Sequence, residues 1–435
     1  MKNTILISAL IALGMPALGQ TVEECQQWAE RNYPLIRQYG LIEKTTELTL
    51  ANIQKGWLPQ VSAHAQATWQ SDVVSWPGQM KAVYQQMGID MKGLRRDQYR
   101  VGIDISQTVY DGGAVSSQKA IAREQGQVQS AQTAVSLYAV RRRVNEMYFS
   151  LLMLEEQMRL NRDLQELLAA NERKLEAMVK GGTAAESDWQ NVKAERLAVV
   201  QQATSLESQQ RMLKAMLSAF CGMEVKTIQR SEELRMQNEV SPADGMAAAK
   251  SLHRPEMRLF DARLRLADAQ ERGLDAALKP RLGVFAQGYY GYSGYNMFED
   301  MMSHKWSLNG MIGARLTWNI GALYTRKSDK AKLQLQRQQT ESDRELFLFN
   351  NHLELIQQQE EQDRYRRLMA HDEEIIQLRA AVRKAAESKL AHGIIDVNSL
   401  LSEIHQENAA LVQRSMHEIE MLKKIYDEKF TTNNQ

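Results

Sequence analysis

The chain repeats itself. Asn32-Tyr33-Pro34, a polar helical stretch and Gly56-Trp57-Leu58-Pro59-Gln60 leading into a strand pattern recur 221 residues later. The second copy reads His253-Arg254-Pro255, a helical stretch, and Leu278-Lys279-Pro280-Arg281 before another strand pattern. Thr108-Val109-Tyr110-Asp111-Gly112-Gly113-Ala114 matches Leu316-Thr317-Trp318-Asn319-Ile320-Gly321-Ala322 at an offset of 208, which places 13 extra residues between the two strands of the first copy. Repetition on this scale governs the fold class. It predicts a first repeat at 21–240, a second at 241–431, and a short tail at 432–435.

The N-terminus predicts where the chain goes. Lys2, an apolar run from Ile5 to Leu13 and the small-residue stretch Ala17-Leu18-Gly19 form a secretory leader at 1–20. No other run is long and apolar enough for a membrane-spanning helix. Val22-Glu23-Glu24 before Cys25 is no apolar lipidation signal. Two cysteines, Cys25 and Cys221, supply no disulfide framework; they pair if the fold brings them together and otherwise remain free thiols. A net charge of +1 with interspersed signs argues against a nucleic-acid partner.

Between Gly113 and Gly181 there is no proline, and most residues suit a helix. Val128, Ala131, Val135 and Tyr138, then Leu164, Leu168, Asn171, Leu175 and Met178, recur at steps of three and four. Ile375, Leu378, Val382 and Ala385 do the same in the second half. Such narrow stripes are of coiled-coil type. A continuous helix of this extent is on the order of 100 Å long. Glycine turns at Gly181-Gly182 and Gly393, with helix resuming around Asp188 and Val397, predict antiparallel helical hairpins.

The strand patterns alternate with a period of two. Val61, Ala63, Ala65, Ala67 and Trp69 oppose Ser62, His64, Gln66, Thr68 and Gln70. Tyr99, Val101, Ile103, Ile105 and Val109 oppose Arg100, Asp104, Ser106 and Thr108. The third pattern, Leu282 to Tyr292, alternates less cleanly; in the fourth, Trp306, Leu308, Ile312, Leu316 and Trp318 oppose Ser307, Asn309, Arg315 and Thr317. This suits tilted strands in an outer membrane, apolar toward lipid and polar toward a lumen, with Trp57, Trp69, Trp306 and Trp318 in aromatic girdles. Four strands cannot close a transmembrane barrel, so protomers must share one. Two, three or four copies give 8, 12 or 16 strands.

These features together resemble the TolC-like outer-membrane efflux proteins, from roughly Thr21 to Phe430. Trp57-Leu58-Pro59-Gln60 is similar to the family's leucine-proline step into the first strand, and Val109-Tyr110-Asp111-Gly112-Gly113 to its exit from the second. Gly182-Thr183-Ala184-Ala185-Glu186-Ser187-Asp188 keeps the family's glycine-to-aspartate spacing. The resemblance implies a mixed, mainly α fold: long coiled-coil hairpins plus four transmembrane strands per chain, closing a shared β-barrel and α-barrel as a homotrimer. It implies an outer-membrane exit duct of a Gram-negative bacterium with a long periplasmic extension. Such a duct passively exports substrates from an inner-membrane pump of RND or ABC type through a periplasmic adaptor, without cofactor, metal or enzymatic chemistry.

Under the resemblance, Gly182, Asp188, Gly393, Asp396, Ser399, Ser402 and Glu403 mark the periplasmic tip, where the duct closes and the adaptor docks. Well-known members carry a ring of acids six and nine positions after the second tip glycine; here those positions hold Ser399 and Ser402, with Asp396 and Glu403 nearby. The family's arginine and tyrosine links correspond to Ile395 and Leu390. Asp188 serves either as a tip-facing acid or as a helix N-terminal acid favoured by the macrodipole.

Other features carry bland alternatives. Arg100, Asp104, Arg281 and Arg315 either set lumen charge or brace strand pairing. After the glycine-tyrosine run Gly288 to Gly294 no helix is expected, and no Lys-Ser step ends it for phosphate, so it reads as strand and loop. His371-Asp372-Glu373-Glu374 and His417-Glu418 lack zinc-site spacing and are expected on solvated helix faces. Arg141-Arg142-Arg143 is expected to meet acids of neighbouring helices, and the 22 methionines to fill cores. The competing architecture is a periplasmic coiled-coil adaptor without a pore, against which the four alternating strands argue.

Overall fold

A computed structural model describes residues 19–229 and 253–433. The predicted leader therefore lies outside the described residues except for Gly19 and Gln20, as do the boundary between the predicted repeats at 240 and 241 and the last two residues of the tail. The elements run α1 (Val22–Asn32), α2 (Arg37–Gln54), β1 (Gln60–Trp69), α3 (Gly78–Gln86), β2 (Asp97–Tyr110), α4 (Ala114–Lys180) and α5 (Glu186–Cys221). Then come α6 (Pro255–Ala277), β3 (Arg281–Tyr292), α7 (Met297–Ser303), β4 (Ser307–Thr317), α8 (Ala322–Ala391) and α9 (Val397–Thr432). Short 3-10 turns at Pro34–Ile36 and Lys55–Trp57 join α1 to α2 and α2 to β1. The protein is thus mainly helical with a small antiparallel sheet. No helix among the described residues is long and apolar enough to cross a membrane.

Contacts divide the chain into two units, and both halves of the sequence contribute to each. One unit comprises residues 40–130 and 260–342, and holds the sheet, in the order β1-β2-β3-β4 with every neighbouring pair antiparallel. Helical segments of this unit are cross-linked by ion pairs: Arg265 to Glu124 at 3.3 Å, Arg326 to Asp275 at 2.9 Å, and Arg337 to Asp268 and Glu271, both at 2.7 Å. Between β1 and β2 the 13 extra residues become a loop carrying α3. It packs Leu94, with Val73 and Trp76 beside it, onto Tyr292 and Met301.

The other unit comprises residues 19–39, 131–229, 253–259 and 343–433. Its core is built on α4, α5, α1 and α9: Val144, Tyr148, Leu151, Leu217 and Leu422 are almost fully sealed from water. The hairpin arms differ in what their stripes meet. Leu164, Leu168 and Leu175 of α4 are buried, whereas Ile375, Leu378 and Val382 of α8 lie exposed. Arg141 and Arg142 pair with Glu30 and Glu354, the acid partners expected of the basic triplet.

Two expectations fail here. A short helix, α7, does follow the glycine-tyrosine run that ends at Gly294. Asp372 and His417, assigned from sequence to solvated faces, are both buried and bonded to each other, His417 Nδ1 lying 2.8 Å from Asp372 Oδ2. The two residues lie on the two arms of the second hairpin, α8 and α9, and meet across it. A run of acids on one helix cannot reveal a partner arriving from another.

Candidate functional site

The two hairpin turns are built alike. In the first, Thr183 N–H donates to Met178 O at 2.9 Å and Gly182 N–H to Val179 O at 3.0 Å, with Gly182 at φ +74°. In the second, Ile394 N–H donates to Lys389 O and Gly393 N–H to Leu390 O, each at 2.9 Å, with Gly393 at φ +68°. Both are helix ends closed by a left-handed residue, which glycine adopts without the steric cost of a Cβ.

The returning helices start differently. Before α5, Ala185 offers no side-chain cap, so Glu186 and Asp188 meet the exposed N–H groups only through the helix field. Asp188 is half-buried in that first turn. Before α9, Asp396 is the N-cap: its carboxylate accepts from Ser399 N–H at 2.9 Å and from the Ser399 hydroxyl. Those bonds, the hydroxyl first and the backbone next, hold the Asp396 carboxyl below its usual range. Ser402 is exposed and accepts from Gln406 at 3.4 Å. Glu403 is half-buried, with one carboxylate oxygen sealed from water and without a partner.

If capping is the task of Asp396, Asp396→Asn should keep thermal stability and conductance, because asparagine caps equally well, while Asp396→Ala should lower stability. Melting curves and single-channel recordings of both variants check this. Altered conductance in Asp396→Asn with its stability kept would assign the role to charge.

Sequence inspection missed what joins the arms. Glu172 and Arg196 pair at 2.5 Å across the first hairpin, and Arg383 and Glu407 pair across the second. The two rungs stand at the same number of residues from Gly182 and Gly393, with acid and base exchanged. Glu387 adds a second acid to Arg383 at 2.5 Å. Burial draws the Arg383 guanidinium down, but Glu407 and Glu387 outweigh it and leave its pKa raised. His405 of α9 reaches Glu195 of α5 at 3.2 Å, tying one hairpin to the other. Beneath the turns Leu175, Val192 and Val397 form a small apolar layer with Trp189 and Leu390 at its margin. The exchanged charges at equal distance from the glycines were the one signal in the sequence that could have exposed these rungs.

In the unit holding the sheet, register puts the predicted lumen residues on one face. Ser62 lies opposite Asp104, His64 opposite Gly102 and Gln66 opposite Arg100; Gly102 then faces Tyr289, and Tyr289 faces Asn309. Arg100 lies over the Tyr289 ring at 5.9 Å and Arg315 over the Phe285 ring at 4.9 Å. His64 Nδ1 stands 2.9 Å from Asp104 Oδ2, within ion-pair reach but off the hydrogen-bonding line. Gly102 is obligatory there, since a Cβ would meet the Tyr289 Cβ at 2.7 Å. The opposite face carries Val61, Val101, Ile103, Ile105, Tyr290, Leu308, Ile312 and Leu316, all exposed. Trp306 stands against Tyr99 and Tyr290 at one end of it.

A family model described as outer membrane efflux protein matches residues 48–222, which include β1, β2 and the first hairpin. No curated protein matches the chain. Solved structures match nearly all of it. The outer-membrane channel OprN is 14% identical with a TM-score of 0.65, covering 95% of this chain and 90% of that one. The Campylobacter jejuni CmeC outer membrane channel is 12% identical with a TM-score of 0.64, covering 94% and 85%. The open state of the Neisseria gonorrhoeae MtrE outer membrane channel is 14% identical with a TM-score of 0.63, covering 95% and 89%. At such identities the shared property is the fold.

Proposed function

We propose, from the premise that this chain is a TolC-like outer-membrane efflux protein, that it is the exit duct through which an inner-membrane pump of RND or ABC type, coupled by a periplasmic adaptor, discharges its substrates. The observation that carries this is the sheet. It is polar on one face and apolar on the other, and β1 and β4 are its two edges. Open edges are not tolerated in lipid, so such a sheet calls for neighbours of its own kind. Three copies supply twelve strands, and the exposed stripe of Leu346, Phe349, Leu353, Ile356, Ile375, Leu378 and Val382 on α8 offers a matching surface for helices of adjacent copies.

The duct works without covalent chemistry. Substrate moves down its gradient, and closure rests on the hairpin turns and the rungs beside them, with opening as a shift between two arrangements of those arms. The test is planar-bilayer conductance of protein purified from outer membranes, with oligomer mass measured in the same detergent. A trimer with small gated steps is expected. A soluble, non-conducting species would instead identify a periplasmic adaptor.

The polar face makes a further prediction. Arg100, Arg281 and Arg315 lie on it without a carboxylate partner among the described residues, whereas Asp104 has His64 beside it. Arginine rings favour anions. Replacing Arg100 and Arg315 together by glutamine should shift the reversal potential in a salt gradient toward cations, roughly halving the anion-to-cation permeability ratio.

A further inference from the structure

We infer that Cys25 and Cys221 are joined by a disulfide in the exported protein. The two residues are 196 apart in sequence, yet the Cys221 Sγ lies 3.6 Å from the Cys25 carbonyl oxygen, and both side chains are 0% exposed. The two thiols also act on each other: Cys25 holds Cys221 below its usual range, while Cys221 and burial push Cys25 up.

The register of this contact is pinned on both sides. Before Cys25, Gln20 N–H donates to Thr227 O at 2.9 Å and Gln229 N–H donates back to Gln20 O at 3.0 Å; the Tyr148 hydroxyl bonds both Gln20 O and Gln229 O. After Cys25, Asn32 Nδ2 donates to Cys221 O at 2.7 Å, and Gly222, at φ +69°, leaves no room for a Cβ against the Asn32 side chain. Helix α1 is short and begins with a capping box between Thr21 and Glu24. Its buried face, Val22, Cys25 and Ala29, sits in the same core as Leu217, Cys221 and Val225. The thiols have apolar surroundings, and no cluster of metal-ligating residues lies among the described residues. Contact in an oxidising compartment is therefore their one available chemistry.

The step balances through thiol–disulfide exchange. One cysteine thiolate attacks the disulfide of an exported thiol oxidase, giving a mixed disulfide and freeing one oxidase thiolate. The second cysteine thiolate attacks the substrate-side sulfur, forming the S–S bond and releasing the oxidase as a dithiol. Two protons leave the cysteines and two electrons pass to the oxidase. Since both sulfurs are sealed in the finished core, exchange takes place while that core is still closing. The bond then closes a loop that contains β1, β2 and the whole first hairpin, and fastens α1 to the end of α5.

The inference rests on export, as proposed above, and the experiment separates the two. Cells are lysed into a denaturing buffer that contains an alkylating reagent at once, and the protein, isolated in parallel from the outer-membrane fraction under the same denaturing alkylation, is analysed by intact mass and peptide mapping, with and without prior reduction. The expected result is no alkylation before reduction, two adducts after it, and a linked pair of peptides bearing Cys25 and Cys221. Two adducts without reduction would overturn the inference. Refolding the purified chain in a glutathione redox buffer tests the geometry wherever the protein is found: the same linked peptides support the bond, and two persistent thiols refute it. Reduction should lower the melting temperature of the wild type by roughly 5 °C and leave a C25S/C221S variant unchanged. An equal effect of reductant on both would again count against the bond.

Discussion

Ile312→Lys should prevent recovery of a stable oligomer from the outer membrane, while Met311→Lys next to it should be tolerated. Ile312 sits mid-strand on the apolar face, 84% exposed, opposite Ala286; Met311 points to the polar face, opposite Gln287. A lysine facing lipid near the bilayer midplane costs about 2–4 kcal/mol, and every copy in a shared barrel bears that cost. Facing a lumen, the same charge stays hydrated. Membrane fractionation and resistance of the oligomer to heating in detergent report the outcome. If Ile312→Lys inserted normally and Met311→Lys did not, the faces would be assigned the wrong way round and the proposed barrel would fall.

Arg383→Ala should loosen the second hairpin turn and raise single-channel conductance. Arg383 and Glu407 are 15% and 14% exposed, and Glu387 shares the same guanidinium. Removing the arginine leaves two carboxylates side by side with little water. Breaking a fully buried pair costs about 3–5 kcal/mol; with this residual exposure about 2 kcal/mol is the expected loss, near a thirtyfold change in a local opening equilibrium. The exchange Arg383→Glu with Glu407→Arg should restore most of it, since Glu172 and Arg196 already hold the first hairpin in that order. Glu387 then faces a glutamate at 383, so restoration should be incomplete. Hydrogen exchange at the turn and bilayer recording separate two roles. Faster exchange with unchanged conductance would make the rung a brace and remove it from the gate.

The strands were legible because one face of each must be apolar throughout, which leaves period-two alternation in the residues themselves. In β3 the pattern blurred where Gly283 and Gly291 lie too close to the β2 backbone for a Cβ. The turns were legible through Gly182 and Gly393, whose conformation few other residues accept. Long helices were harder. The stripe at Leu164, Leu168 and Leu175 and the stripe at Ile375, Leu378 and Val382 look alike in sequence, yet the first is buried within the chain and the second is bare. Spacing announces an interface and says nothing about whose surface completes it. The same limit hid the tip. Asp396 and Ser399, selected as separate gate candidates, turn out to serve one cap, and Glu172, Arg196, Arg383 and Glu407 escaped notice because each partner lies on another helix.

The sheet edges have a consequence in time. Until β1 and β4 find strands to pair with, each presents a row of free backbone donors and acceptors to any extended segment it meets. For a newly made chain the hazard therefore scales with how long those edges wait and how many competitors surround them. Its yield is decided by a race between capture and aggregation, before equilibrium stability has any say.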